Sequence, residues 1–264
     1  KFASSNKTIR GTEIKSTEEL IALKPLELSS YAYVVDSKDY NVPALIYEAQ
    51  QNKIVVAASF KPFAIKNKTS FSYGSLMIPV APQSLSEKEL HTTLSALQKK
   101  YSIQIHRVSS GFSSQGIDLG SRAIRPLDKP KALMIIGKGI RSYEAGEVWH
   151  LLDTRVGMPI TKVRQNYFDR IKLEEYTTLV MVSGSYVWSK KIIDKIKNWV
   201  AKGNTIIAIG TANNTLIKHK IIDEKRVILK KDSTTIATRR PYVEASENLG
   251  REKLGGVFCG RVQA

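Results

Sequence analysis

Three short apolar runs constrain this chain more than any other feature. Residues 131–136, 178–182 and 205–209 are dominated by Ala, Val, Ile, Leu and Met, and each leads into a glycine-containing loop. Runs this short suit strands, and their lack of polar alternation predicts burial on both faces, as in a parallel sheet. Helical stretches lie between them. Residues 143–153 follow the first run, and residues 160–163 predict a short strand. Ser189 caps a helix whose Ile192, Ile193, Ile196, Trp199 and Val200 form an inward stripe, and Gly203 supplies the left-handed position that ends it.

The first half carries a similar alternation. Ser16-Thr17-Glu18-Glu19 and Ser86-Glu87-Lys88-Glu89 are capping boxes, in which the serine and the third following glutamate satisfy each other's amides. Strands are predicted over residues 31–35, 53–58, 74–80 and 101–108, and helices over 41–51 and from Ser86 to about Lys100. Pro43 fits the first of these helices because it falls in the opening turn. Residues 109–130 are rich in Gly, Ser and Pro, which places a domain linker there. The fold class expected is α/β, with two three-layer αβα domains built on mainly parallel sheets, over residues 1–128 and 129–264.

At 264 residues, with 42% hydrophobic and 25% charged side chains, the chain has the composition of ordinary globular domains. No apolar run reaches the ~18 residues needed to span a bilayer. The net charge is +17, and it is uneven: residues 1–128 carry 16 basic and 11 acidic side chains, residues 129–264 carry 25 and 13. No recognition motif accompanies the charge, so a basic solvated surface is favoured over nucleic-acid binding. Residues 218–231 interleave basic and apolar side chains and predict an amphipathic strand or strand pair. Cys259 is the only cysteine, which excludes an internal disulfide; it lies in a run at residues 255–260 that predicts a late, buried strand. That strand stops abruptly, which suggests that more chain follows.

Chemistry should gather at the carboxyl ends of the strands in the second half. Gly137-Lys138-Gly139-Ile140-Arg141-Ser142 sits where dinucleotide loops sit, but Ser142 replaces the third glycine, and Glu144 and Glu147 would repel a phosphate at the helix start. Glu144, Glu147, His150 and Asp153 recur every three residues. A carboxylate and an imidazole so spaced can share a metal, yet no second helix supplies the matching pair, so no metal site is predicted. The best pocket candidate is a crevice lined by Arg141, Glu144, Glu147, His150, Ser185, Gly210 and Thr211. The turn after residue 209 offers neither a cysteine nor a G-x-S-x-G elbow, so no catalytic residue is assigned.

Residues 142–155, SYEAGEVWHLLDTR, followed by Met158-Pro159-Ile160-Thr161, form a long and specific signature. Together with Gly116-Ile117-Asp118-Leu119-Gly120-Ser121, Arg125-Pro126-Leu127, residues 36–44 and Lys61-Pro62-Phe63, it resembles the region after the catalytic domain of bacterial zinc carboxypeptidases of the carboxypeptidase A type. Residues 131–217 resemble a class I glutamine amidotransferase-like, flavodoxin-related domain. The peptidases hold zinc with an H-x-x-E pair; here His91, His106 and His219 lack the glutamate, and His150 reaches only Asp153 within the accessory motif. The amidotransferase cysteine would stand where Gly210 and Thr211 stand.

The resemblance implies a non-catalytic accessory region that packs against, or shapes the cleft of, a peptidase domain of the same polypeptide. It implies zinc only for that domain, no cofactor in this chain, and a secreted or periplasmic protein. Two other readings stay open: a polyanion-binding module using the basic second half, and a small-molecule enzyme using Glu144, Glu147 and His150.

Overall fold

A computed structural model describes residues 23–65 and 69–225. The capping box at residues 16–19, the part of the basic alternation beyond residue 225, and the run around Cys259 lie outside the described residues. The chain divides into two compact units at Lys129 and Pro130, with Leu152–Met158 grouped with the first. No described helix is long and apolar enough to cross a membrane.

In the first unit, β1 (Ala32–Val35), β2 (Ala57–Ser59), β5 (Leu76–Pro79), β6 (Ile105–Val108) and β8 (Ile124–Pro126) form a sheet in the order β6-β1-β5-β2-β8. Every neighbouring pair in it is antiparallel, with Tyr33 opposite both Ile78 and Arg107. The expected mainly parallel sheet is therefore corrected for this half. Helix α1 (Val42–Gln51) does connect β1 to β2, and α2 (Glu87–Tyr101) connects β5 to β6. Each connection skips a strand, so two split β-α-β units interleave and each fills the other's gap.

Strand alternation divides this sheet's residues between two cores. Tyr33 and Val35 join Leu45 and Ala49 of α1 and Leu90, Leu94 and Leu97 of α2. Ala32 and Val34 point the other way, onto Phe63, Phe71 and Leu119. Among the described residues, that face is covered by a small antiparallel sheet of β3 (Phe63–Ala64), β4 (Ser70–Phe71) and β7 (Gln115–Gly116) and by no helix, which corrects the three-layer expectation for this half as far as it is described. Residues 109–130 thus do more than link, because they contribute β7 to the small sheet and β8 to the edge of the large one. Ser86 and Glu89 form the expected capping box.

Helix α1 ends at Asn52, and Lys53 takes φ +60, so the expected strand over 53–58 begins only at Ala57. Helix α2 likewise runs through Tyr101 and stops at left-handed Ser102, delaying the next strand to Ile105.

The second unit holds a four-stranded sheet of β9 (Ala132–Ile136), β10 (Thr161–Arg164), β11 (Thr178–Met181) and β12 (Thr205–Ala208). Its order is β10-β9-β11-β12 and every pair is parallel, as the apolar runs predict. Helix α3 (Ser142–His150) follows β9 and passes into a π-helical turn at Leu151–Arg155. Helix α4 (Lys190–Ala201) joins β11 to β12; Ser189 caps it by accepting the Ile192 amide, and Gly203 lies just beyond its end at φ +92. Helix α5 (Ala212–Lys218) follows β12, where the sequence predicts no helix, and residues 219–225 form turns and irregular chain instead of the expected strand.

His106 packs edge-on against Phe71 with ring centroids 5.5 Å apart. Burial first, then the Lys24 charge, hold its pKa below the ordinary histidine value, against a weaker opposing pull from Asp36. The fold therefore favours the neutral ring. As pH falls through about 6.5, the unfolded chain takes up a proton before the folded one does, and stability declines until the folded pKa is passed. Urea midpoints followed by circular dichroism from about pH 7.5 down to about pH 5 should fall less in His106→Phe than in the parent chain.

Candidate functional site

In chain order the parallel sheet runs second, first, third, fourth, so the winding reverses between β9 and β11. Open parallel sheets bind ligands in the crevice at the carboxyl ends of such a pair, because the two following loops leave in opposite directions. Here the loops after β9 and β11 close onto each other. Ile140 and Gly184 pair as an isolated antiparallel bridge. The Ser185 amide donates to the Gly139 carbonyl at 2.9 Å and the Arg141 amide to the Ser183 carbonyl at 2.9 Å. A Cβ at Gly184 would meet the Gly139 oxygen at 2.8 Å and the Ile140 Cα at 2.9 Å, so only glycine permits this approach. The glycine loop is a strand-to-helix turn that spends its own backbone groups.

Side chains complete the closure. Glu144, in the first turn of α3, accepts the Ser183 amide at 2.8 Å through Oε2. Thr211 Oγ1 accepts the Gly184 amide at 3.0 Å, and the Thr211 amide donates to Ser183 Oγ at 3.2 Å. Gly210 turns the chain at φ +56, and a Cβ there would lie 2.2 Å from Ser183 Oγ. Arg141 Nε stands 4.0 Å from Glu144 Oε1, largely exposed. Tyr186 is buried, and its hydroxyl donates to the Val182 carbonyl at 2.6 Å. Burial, then the nearby Glu144 charge, push its pKa well above the ordinary tyrosine value, so it stays a neutral phenol.

Of the residues expected at the crevice, Arg141, Glu144, Ser185, Gly210 and Thr211 are gathered there. Glu147 and His150 lie on exposed positions of α3. At about 100° per residue, a three-residue step turns back by about 60°, so Glu147 and His150 rotate progressively away from the direction of Glu144. Among the described residues, no group of three or more His, Cys, Asp or Glu side chains is placed to hold a metal. Ser183 is the residue that sequence reasoning misses: it is buried, and its amide, carbonyl and hydroxyl are all engaged. Its signal was its place, the first polar residue after a buried apolar run and directly before a glycine.

Backbone amides at such a rim are the groups that would stabilise an oxyanion. The Ser183 and Gly184 amides already have a carboxylate and a hydroxyl as acceptors. An incoming anion would have to displace Glu144 to reach the first. The chain matches no family model, no curated protein and no solved structure.

All three tryptophans, Trp149, Trp188 and Trp199, belong to the second half of the sequence, so their fluorescence reports on the second unit. Glu144→Ala strips the acceptor from a part-buried amide and should destabilise that unit by about 1–3 kcal/mol in urea unfolding, with Glu144→Gln recovering most of the loss. Gly210→Ala should cost at least ~1 kcal/mol, and Ser183→Ala in the same chain should relieve only part, because the positive φ remains.

Proposed function

We propose that this chain is a non-catalytic accessory region of a zinc carboxypeptidase-like protein, packing against or shaping the cleft of a peptidase domain of the same polypeptide. The observation that carries this reading is the sealed switch-point crevice, whose Ser183 and Gly184 amides are taken by Glu144 and Thr211. A scaffold that fills its own ligand position, and bears glycine and threonine where an amidotransferase would bear cysteine, is suited to support. In this reading the second unit is flavodoxin-like and related to class I glutamine amidotransferases, since a 2-1-3-4 strand order matches the start of that topology. The protein would be exported to the periplasm or beyond, and zinc would belong to the peptidase domain.

Exposed apolar side chains fit a docking role. Tyr143, at the start of α3, is 90% exposed and Val187, in the loop after β11, is 82% exposed. Both follow the carboxyl ends of central strands. In this reading the peptidase domain covers both side chains.

Purified chain offered a peptide with a chromogenic C-terminal residue should release nothing above buffer, with or without added zinc, and should retain no stoichiometric zinc after dialysis. A separately produced zinc carboxypeptidase domain of the same polypeptide should bind the chain and change its KM, and Tyr143→Ser together with Val187→Ser should weaken that binding. Zinc-dependent cleavage by the chain alone, or a peptidase domain that neither binds it nor changes in KM, defeats the reading.

A further inference from the structure

We infer that a second concavity on the same rim, between the carboxyl ends of β9 and β10, binds the phosphate group of a small phosphorylated molecule. This cavity of about 630 Å³ is lined by Gly137, Lys138, Arg164, Gln165, Asn166 and Val187. Its size falls within the ~300–1,000 Å³ typical of small-molecule sites. The inference does not rest on the accessory reading, although Val187 is shared with the proposed docking surface.

Charge is the first argument. Two of the lining side chains are cations and none is an acid. Neither Lys138 nor Arg164 has a carboxylate within 4.0 Å among the described residues, whereas Arg107, beside the concavity of the first unit, is held by Glu27 at 2.6 Å. Two cations facing one hollow repel each other, and an anion between them relieves that repulsion. A phosphate monoester carries about −1.5 to −2 charges near pH 7, which matches the pair better than a single carboxylate does. The guanidinium fork of Arg164 suits two phosphate oxygens, and Lys138 supplies a point charge.

Preorganisation is the second. Gln165 is fixed at both ends of its amide: Nε2 donates to the Lys138 carbonyl at 3.1 Å, and Oε1 accepts the Val187 amide at 2.8 Å. One side chain thereby ties the loops after β9, β10 and β11 into a standing wall. Gly137 turns the loop at φ +110, a conformation that favours glycine, and its backbone lies beside Arg164. Asn166 adds an amide donor, and exposed Val187 offers an apolar flank for the organic part of a ligand. The start of α3, where a dinucleotide phosphate would sit, is not involved, because Glu144 occupies it.

Phenyl phosphate is the probe, followed by ¹H–¹⁵N correlation spectra of the labelled full chain. The expected result is saturable movement of the Gly137, Lys138, Asn166 and Val187 signals, still present at an ionic strength of about 0.15 M. Arg164→Gln and Lys138→Gln, both at exposed positions, should keep the parent dispersion and melting temperature while each weakens binding about tenfold. Lys202→Gln, at the opposite edge of the sheet beyond α4, should change nothing. Benzoate in place of phenyl phosphate should bind much more weakly. The inference is overturned by an absence of saturable shifts, by equal binding of benzoate, by unchanged affinity in Arg164→Gln, or by shifts spread over the lysine-rich surface that vanish with salt.

Discussion

The second unit depends on one short stretch of backbone, the first residues after β11. The Ser183 amide donates to Glu144, its carbonyl accepts the Arg141 amide, and its hydroxyl oxygen accepts the Thr211 amide. One buried residue thus ties the start of α3, the end of the central strand and the turn ahead of α5. A buried polar group left without a partner costs about 1–3 kcal/mol, so these three engagements hold the elements more firmly than their number suggests. They also dictate residue types around them. Gly184 must lack a side chain to reach the Gly139 turn, and Gly210 must take a positive φ to bring Thr211 over Ser183. Aromatic packing supports the same loop from below, with Trp188 between Tyr186 at 5.4 Å and Phe168 at 6.3 Å.

Much of the second unit was legible in the sequence, and less of the first. Residues 131–136 and 178–182 form buried strands of the parallel sheet because an unbroken apolar run has no face to spare for water. The run at 205–209 pairs as expected but lies at the edge of the described sheet, with Thr205 and Ile207 exposed, so its expected burial is corrected. In the first unit the two described helices and the strands β1, β5 and β6 match the sequence, but β3, β4, β7 and β8 are missed, and alternation does not encode which strands are neighbours. The run containing Leu76 and Ile78 inserts between β1 and β2 and reverses every pairing, and nothing in the spacing of residues 31–80 announces it. Turn-rich composition misled in the same way over residues 109–130. Strands of two and three residues are too short to show a period among the glycines and serines around them.

At the candidate site the same limit shows on a smaller scale. Glu144, Gly210 and Thr211 could be found because each stands at a fixed offset from the end of an apolar strand. Glu147 and His150 were included because three-residue spacing resembles a helix face, yet three residues fall short of a full turn of 3.6. Over two such steps the displacement is large enough to leave the crevice. Ser183 had only its place after an apolar run to mark it, and Gln165 had no pattern at all. Their importance arises from neighbours 20 to 40 positions away, such as Glu144 for Ser183 and Val187 for Gln165, and only the folded sheet brings those together.

The two hollows on this rim differ in one respect that sets their chemistry. Both are flanked by loops after β9, both carry an arginine, and both have backbone groups within reach. Where β9 meets β11, a carboxylate from α3 stands among them, takes the available amide and faces Arg141. Where β9 meets β10, no acid lines the hollow among the described residues, and Gln165, which is neutral, does the tying instead. A neutral amide can brace a wall without cancelling the charge of Lys138 and Arg164, whereas a glutamate at residue 165 would brace it and cancel at once. Closure of one hollow and openness of the other to an anion follow from where the chain places Glu144, not from the sheet that both share.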